Sequence, residues 1–600
     1  MPIRFCPKCG ARVKQSTDKR HGPPRFCARC GANLTSEGAP REAGLAGSFP
    51  YKSMRPFQKE VLEQVEEALA SSKKFIILEA PVGFGKSAIA AALCTRLGSA
   101  YLLTSTKQLQ DQYSSDFEFR TVIGKSNFTC LVPTASGKHV ACSSGRCEAD
   151  WKLSDCPHYL TFEEFDQHER GLCSRDSKCE RLKDSKLCAY YAQKWESFRA
   201  PVMVANYPFF LTELKYTSDV RPRKLLVCDE AHDLEKQMVG FAAYTLRRST
   251  LDSYRVEQEQ GENQISFIPD MGAEDALAWE RPLLEVKRTL EVFVDTYLGV
   301  DAMQDRVAAC KNALGSLESF LEDLTASPAN WVVNSIKTTM VLDGGSGGSS
   351  VEEVVFQPLE VGDYTSTLFD SADTVLLMSA TVFSKEVFCR TLGIPEQDAA
   401  FIRVKESSFP VENRRIYALD VARLNKTTLD SSLESIARTV DEIMTHHTGE
   451  RGIIHTTSYQ QVNYIIEHVS ERNRTRLSTT QGASSRSEVL RVHGSTDESV
   501  LISPSLYEGV DLKDDLSRFQ VLVKVPYPDL SERRTEIKLK RDQGWYEWQT
   551  AQRLLQTYGR SVRSETDHAV TYVLDSNFGW FLSKHRELFP DYFLEAVGTF

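Results

Sequence analysis

Asp229 and Glu230 stand side by side after the apolar run Leu225-Leu226-Val227-Cys228, with Ala231 and His232 behind them. A buried strand ending on two adjacent carboxylates can offer one to a magnesium ion and the other to a water that attacks a phosphoryl group. A second stretch supplies the phosphate side of such a site. Phe75-Ile76-Ile77-Leu78 has the β-branched and aromatic make-up of a short buried strand. It runs through Glu79 into Ala80-Pro81-Val82-Gly83-Phe84-Gly85-Lys86-Ser87 and an alanine-rich helix that reaches Leu93. Gly83 and Gly85 let the backbone curl so that its N–H groups face phosphate oxygens at a helix N-terminus. Lys86 is placed to reach the β- and γ-phosphates, and the Ser87 hydroxyl to join Asp229 around magnesium. Ala80 occupies the position of the first glycine in the strict pattern. ATP and Mg2+ are the ligands these residues call for.

Elements further along must close the site from the other side. Thr374-Val375-Leu376-Leu377-Met378 reads as a buried strand ending in the hydroxyls of Ser379-Ala380-Thr381, and Arg451-Gly452-Ile453-Ile454-His455 begins another strand. Val500-Leu501-Ile502 leads into Ser505-Leu506-Tyr507-Glu508-Gly509-Val510-Asp511, where Glu508, Gly509 and Asp511 are candidate nucleotide contacts. Gln556-Thr557-Tyr558-Gly559-Arg560-Ser561-Val562-Arg563 puts two arginines three residues apart. On one helix face they would reach across a cleft to a transferring phosphoryl group. A solvated surface pair is the plainer alternative; the preceding Gln556 and Gly559 favour the finger. Trp545, Tyr546 and Trp548 lead straight into this segment and read as packing rather than as base-stacking residues.

Six hundred residues imply several domains. No apolar stretch has the roughly twenty residues needed to span a bilayer, so no membrane contact is expected. The formal net charge of −10 excludes a global polycation and confines any nucleic-acid contact to a local basic groove or patch. Fifteen cysteines without an export signal point to a reducing, cytoplasmic compartment and to metal ligation rather than a disulfide scaffold. Cys6-Pro7-Lys8-Cys9 and Cys27-Ala28-Arg29-Cys30, with seventeen residues between them, have the spacing of a Zn2+ ribbon over residues 1–35. Its surrounding arginines and lysines suit either nucleic-acid contact or protein docking, and residues 36–48 read as a Gly-, Ala- and Pro-rich linker. A second set, Cys130, Cys142, Cys147, Cys156, Cys173, Cys179 and Cys188, is too dense for packing alone and suits zinc or an iron–sulfur cluster. Cys94, Cys228, Cys310 and Cys389 lie in apolar surroundings and read as inert core residues.

Phosphate loop, Asp-Glu-Ala-His box, Ser-Ala-Thr, Glu-Gly-Val-Asp and the final Gln-Gly-Arg-Arg segment occur in the order of superfamily-two helicases. The array from Asn127-Phe128-Thr129-Cys130 to Cys188-Ala189-Tyr190-Tyr191 resembles the XPD/DinG iron–sulfur helicases, with bacterial and phage DinG-like members nearest. The resemblance covers residues 49 to 600. It implies an α/β architecture of two RecA-like parallel-sheet motor domains, 49–382 and 383–600. Insertions in the first would be an iron–sulfur domain over 121–200 and a helical arch over 234–363. It implies a 4Fe–4S cluster on Cys130, Cys173, Cys179 and Cys188, the DinG grouping, with Cys130, Cys147, Cys156 and Cys188 as the XPD-like alternative. In the first case Cys142, Cys147 and Cys156, with His139 or His158, are either a further zinc site or free thiols. Gln58, after Arg55-Pro56-Phe57, takes the place of an adenine-side glutamine. Thr104-Ser105-Thr106, with Gln108 and Gln112, resembles a backbone-gripping motif. Gly344 to Ser350 is expected to be a flexible loop. The implied activity is ATP-driven 5′→3′ movement on single-stranded DNA and unwinding of duplex or branched DNA in repair, recombination or replication. Glu230 would activate water with help from Gln556, and Lys86, Arg560 and Arg563 would stabilise charge. A nucleic-acid-stimulated switch or loading factor, and a helicase for RNA or RNA–DNA hybrids, are the competing readings.

Overall fold

A computed structural model of the chain describes residues 44–599 except 134–136, 146, 148–152, 176, 183–185, 255–274, 301–302, 342–347, 425–427, 482–485, 507–511 and 513. The ribbon cysteines Cys6, Cys9, Cys27 and Cys30, and Glu508, Gly509 and Asp511, lie outside the described residues. Five runs of the first half become strands β1 (Phe75–Glu79), β2 (Ala100–Thr104), β3 (Arg120–Thr121), β4 (Val202–Asn206) and β5 (Arg223–Cys228). β1 and β2 are buried along their whole length, as strands covered on both faces must be. After β5 the chain makes an excursion through β6 (Tyr244–Arg247), the helices Glu280–Tyr297 and Gln304–Ala326, β7 (Trp331–Val341) and β8 (Gly348–Pro358). It returns as β9 (Ala372–Ser379) and β10 (Ala399–Arg403). The first sheet is parallel, in the order β10-β1-β9-β5-β2-β4-β3.

The second lobe repeats the design with β11 (Ile416–Ala422), β12 (Gly452–His455), β13 (Leu477–Thr479), β14 (Val500–Ser503), β15 (Phe519–Leu522), β16 (Val570–Asp575) and β17 (Val597–Thr599). Its order is β13-β14-β12-β15-β16-β11-β17, again parallel. Two parallel-sheet α/β lobes are therefore present. The first runs past the boundary drawn at residue 382, because β10 pairs with β1 from Phe75 opposite Ala399 to Glu79 opposite Arg403.

The excursion over 234–363 is less helical than its Leu, Glu and Lys spacing implies. Two long helices pack on a three-stranded antiparallel sheet in the order β6-β8-β7. β7 carries Val332, Val333, Ile336, Thr338, Thr339 and Val341 and β8 carries Val351, Val354 and Val355, and β-branched side chains favour a pleated surface over a helix. Gly348, Ser349 and Ser350, expected in a flexible loop, belong to β8; Gly344 to Gly347 lie outside the described residues. The cysteine-rich segment occupies the connection from β3 to β4. Turns and the short helices Phe162–Arg170 and Lys178–Arg181 lead to the helix Ala189–Arg199, which buries Tyr190, Tyr191, Trp195 and Phe198 in the same core as one face of the first sheet. Among the described residues no helix is long and apolar enough to cross a membrane.

Candidate nucleotide site

β1 delivers the chain to the phosphate loop, and the helix Lys86–Leu97 starts where the loop ends. Gly83 and Gly85 have φ of +78° and +90°, which only glycine adopts without strain. A β-carbon at either would also collide with a neighbour: Phe409 at Gly83, and the Gln58 amide at Gly85. Gln58 is buried. Its Nε2 donates to the Phe84 carbonyl at 2.7 Å and its Oε1 accepts from the Arg55 N–H at 2.8 Å, so the amide braces the loop from beneath while lining the cavity. Lys86 Nζ donates to the carbonyl of Ala80 at 2.9 Å and of Pro81 at 3.3 Å. Burial pushes its ammonium below the ordinary value, and Glu230 and Asp229 oppose that shift.

Asp229 follows β5 and anchors its N–H on the Leu103 carbonyl of β2 at 2.9 Å. Its Oδ2 accepts from Tyr113 Oη at 2.8 Å, and its Oδ1 accepts the N–H of Glu230 at 3.0 Å. Burial, then the neighbouring Glu230, pushes the Asp229 carboxyl up to about 6. Glu230 behaves oppositely. Burial alone would raise it, but His232, Lys86, Arg560 and Arg563 together hold it below the usual carboxylate range. Glu230 itself sits at φ +52°, a left-handed turn that ends the strand and aims its side chain into the cleft.

The opposite wall comes from the second lobe. The helix Gln543–Tyr558 ends before Gly559, where a β-carbon would lie 3.2 Å from Val82 of the phosphate loop. Arg560 and Arg563 consequently lie in the turn beyond the helix, not on a helix face as their spacing suggested. Both still line one cavity of about 540 Å³ with Gln58, Gly83, Gly85, Lys86, Ser87, Asp229, Glu230 and Gln556. Ala80 does not line it and enters through its carbonyl alone. Gln556 Nε2 donates to Thr381 Oγ1 at 3.0 Å, and Arg560 Nη2 donates to Gln556 Oε1 at 3.2 Å. His232 Nδ1 lies 3.0 Å from Ser379 Oγ and 3.3 Å from Glu230 Oε2. A polar relay therefore links the carboxylate pair to the second lobe. His232 was visible as a motif letter without a role, and Ser379 and Thr381 as strand-end hydroxyls able to couple nucleotide state to lobe movement; Tyr113 carried no signal, since one tyrosine on a helix resembles any other.

The cysteines depart from the DinG grouping and include all four of the XPD-like alternative, Cys130, Cys147, Cys156 and Cys188. Cys130, Cys142, Cys147, Cys156 and Cys188 line one small cavity with Lys125, His158, Tyr190 and Tyr191. An isolated bridge between Thr129 and Ala141 brings the first two together: Cys130 N–H donates to Val140 O at 2.8 Å and Cys142 N–H to Phe128 O at 2.7 Å. Cys188 N–H donates to His158 O at 2.9 Å. Burial, reinforced by Cys188 and Cys130, pushes the Cys142 thiol up to about 12. Cys173 and Cys179 are instead bonded to each other, with Cα atoms 5.6 Å apart, and neither lines the cavity. That pairing also departs from the expectation of ligation without disulfides. His139 and His158 spend Nδ1 on the carbonyls of Cys130 and Lys186. Among the described residues no group of three or more His, Cys, Asp or Glu side chains is disposed to hold a metal ion.

Residues 442–595 match the helicase C-terminal domain family, and residues 51–255 match the family of the type III restriction enzyme res subunit. A probable ATP-dependent helicase of Methanocaldococcus jannaschii is 25% identical over 210 residues, which are 32% of this chain and 30% of that protein. The match thus spans less than a third of that relative. Among solved structures, an XPD helicase covers 92% of this chain and all of its own at TM-score 0.61 and 16% identity. An apo XPD covers 90% of this chain and all of its own at 0.54 and 15%. S. tokodaii Xpd4 covers 91% of this chain and all of its own at 0.53 and 16%. The likeness to these solved structures shows an XPD-like fold, and the helicase C-terminal domain match places a helicase-type lobe over residues 442–595.

Proposed function

We propose that the chain is an ATP-dependent DNA helicase that moves 5′→3′ on single-stranded DNA and unwinds duplex or branched DNA. The observation that carries this reading is the shared cavity, with Lys86, Ser87, Asp229 and Glu230 from one lobe facing Gln556, Arg560 and Arg563 from the other. A nucleotide held between two lobes turns hydrolysis into lobe movement. Ser87 and Asp229 would hold Mg2+, which neutralises phosphate charge when bound. Glu230, kept ionised by its cationic neighbours, polarises the attacking water, and Gln556 places it. Lys86, Arg560 and Arg563 stabilise charge on the γ-phosphate. Glu508, Gly509 and Asp511 would complete the nucleotide contacts.

A 4Fe–4S cluster belongs to the same proposal with a revised ligand set: Cys130, Cys188 and two of Cys142, Cys147 and Cys156. Soft thiol donors facing one cavity are the support for it, and the cluster would serve as a structural cross-link of a turn-rich segment. Cys6, Cys9, Cys27 and Cys30 would hold Zn2+ in a ribbon for docking. Strand displacement by purified protein, with ATPase stimulation compared between DNA and RNA single strands, is the decisive experiment. Displacement of DNA duplexes is expected; stimulated hydrolysis without displacement would leave a switch or loading factor, and stronger stimulation by RNA would change the substrate.

A further inference from the structure

Five side chains on the helix Gln543–Tyr558 make hydrogen bonds to the first lobe; Trp548 Nε1 donates to the Val382 carbonyl at 2.7 Å, and the other four recur at one-turn spacing. Trp545 Nε1 donates to Glu235 Oε2 at 2.9 Å and Gln549 Nε2 to the same oxygen at 3.2 Å. One turn on, Gln552 Nε2 donates to the Thr381 carbonyl at 2.7 Å, and Gln556 Nε2 to Thr381 Oγ1 at 3.0 Å. Positions 545, 549, 552 and 556 follow the 4-3-4 step of one helix face. The helix is therefore fixed at its catalytic end by the relay around His232, and at its start by one carboxylate three residues beyond that histidine.

Glu235 is fully enclosed and accepts from four donors, all in the second lobe. Arg534 Nη2 reaches its Oε1 at 2.6 Å and Lys538 Nζ at 3.1 Å, beside the Trp545 and Gln549 contacts. Arg534 also donates to the carbonyls of Pro358 at 2.8 Å and Leu359 at 2.9 Å, and Lys538 pairs with Glu360 at 3.2 Å, so the end of β8 joins the knot. A buried carboxylate is tolerated only when its charge and lone pairs are satisfied. Here the satisfying groups fix one rigid body of the second lobe against the helix Leu234–Ala242 that follows the carboxylate pair.

We infer that Glu235 is a positioning residue of the nucleotide site: through Trp545 and Gln549 it sets the azimuth and height of the helix that carries Gln556 to the γ-phosphate. The inference rests on the ATPase reading above. It identifies a contact outside every motif, acting on the water-placing residue from the far end of its helix. Adenine and phosphate-loop contacts do not touch this knot, so it governs turnover rather than ATP binding.

The test is a double-mutant cycle on the full chain, measuring single-strand-stimulated ATPase kcat and KM in wild type, Glu235→Gln, Gln556→Ala and the double variant. Glu235→Gln is expected to lower kcat roughly tenfold or more with the ATP KM unchanged, since small misplacements of a reacting group are costly. In the Gln556→Ala background the same change is expected to cost less than about twofold, because coupled residues are non-additive. Should Glu235→Gln fail to fold, Gln549→Met removes one neutral donor without stranding a charge and enters the same cycle, with a smaller drop of about threefold expected. Equal losses in both backgrounds, or a raised KM with kcat intact, would overturn the inference. Wild type without any ATP turnover would instead overturn the functional reading beneath it.

Discussion

The nucleotide cleft and the thiol cavity are both built on the first sheet, yet they are constructed in opposite ways. Most chemical groups of the cleft sit at the end of a paired strand or at a helix terminus: Lys86 at the start of the helix after β1, Asp229 after β5, Thr381 after β9, and Gln556 at the last turn of its helix, with Arg560 and Arg563 just beyond it. The thiol cavity is held by one isolated bridge, short helical turns and a few long-range backbone bonds. Backbone geometry fixes the first site to within the reach of a hydrogen bond. The second borrows the core of the first lobe, into which Cys130, Cys142 and Tyr190 are packed, rather than having one of its own. A site made from strand ends can be read from short motifs, whereas one made from turns cannot.

The largest effect separating the two sites is expected from Lys86→Ala, which should abolish ATP hydrolysis while leaving single-strand binding and iron content as in wild type; a turnover assay beside an iron determination decides it. Cys188→Ser should do the reverse, removing iron and sulfide from anaerobically purified protein and with them strand displacement. Cys173→Ser should retain the iron, because Cys173 does not line the cavity; iron lost equally in both would restore the DinG grouping. Lys194→Met tests the joint between the sites. Lys194 is buried, with Glu213 at 2.7 Å and Asp219 at 3.1 Å, and anchors the helix after Cys188 to the first lobe. Removing it strands a buried carboxylate and should cost about 3–5 kcal/mol in thermal or denaturant unfolding.

A smaller effect concerns pH. Arg534 and Lys538 overcome burial and hold Glu235 down at about 2. A folded-state value below the unfolded one gives stability that is present above the unfolded value near 4.3 and lost as pH falls toward 2. The stability gap between wild type and Glu235→Gln should therefore narrow by on the order of 3 kcal/mol as pH falls from about 4.5 to 2 in unfolding curves. The least effect is expected from removing residues 1–40, which should leave basal ATPase unchanged if the ribbon serves docking alone.

How far the site was legible follows the same division. Ala80 to Ser87 and Asp229-Glu230 each lie within a few residues of a recognisable buried strand, so strand, turn and carboxylate could be placed together from their letters. Arg560 and Arg563 were found, but their setting was not: the helix stops at Tyr558, so both lie beyond it although their spacing suits a helix face. Tyr113 could not be seen, because its role depends on a carboxylate more than a hundred residues away. In the excursion after β5, apolar spacing was read as helix throughout, although the β-branched content of β7 and β8 already favoured strands.

The sequence by itself determined the chemistry available: a phosphate loop, a carboxylate pair, hydroxyls, two arginines and a surplus of thiols, with short buried strands to carry them. Those are local properties, set by backbone conformations and burial patterns over five to ten residues. Only the tertiary structure decided the partners. It brought Glu235 to Arg534 across 299 residues, placed five thiols around one cavity and joined two others apart from it, and carried the first lobe on to β10. Such pairings are fixed by which surfaces pack, and a single chain of letters carries no period that records them.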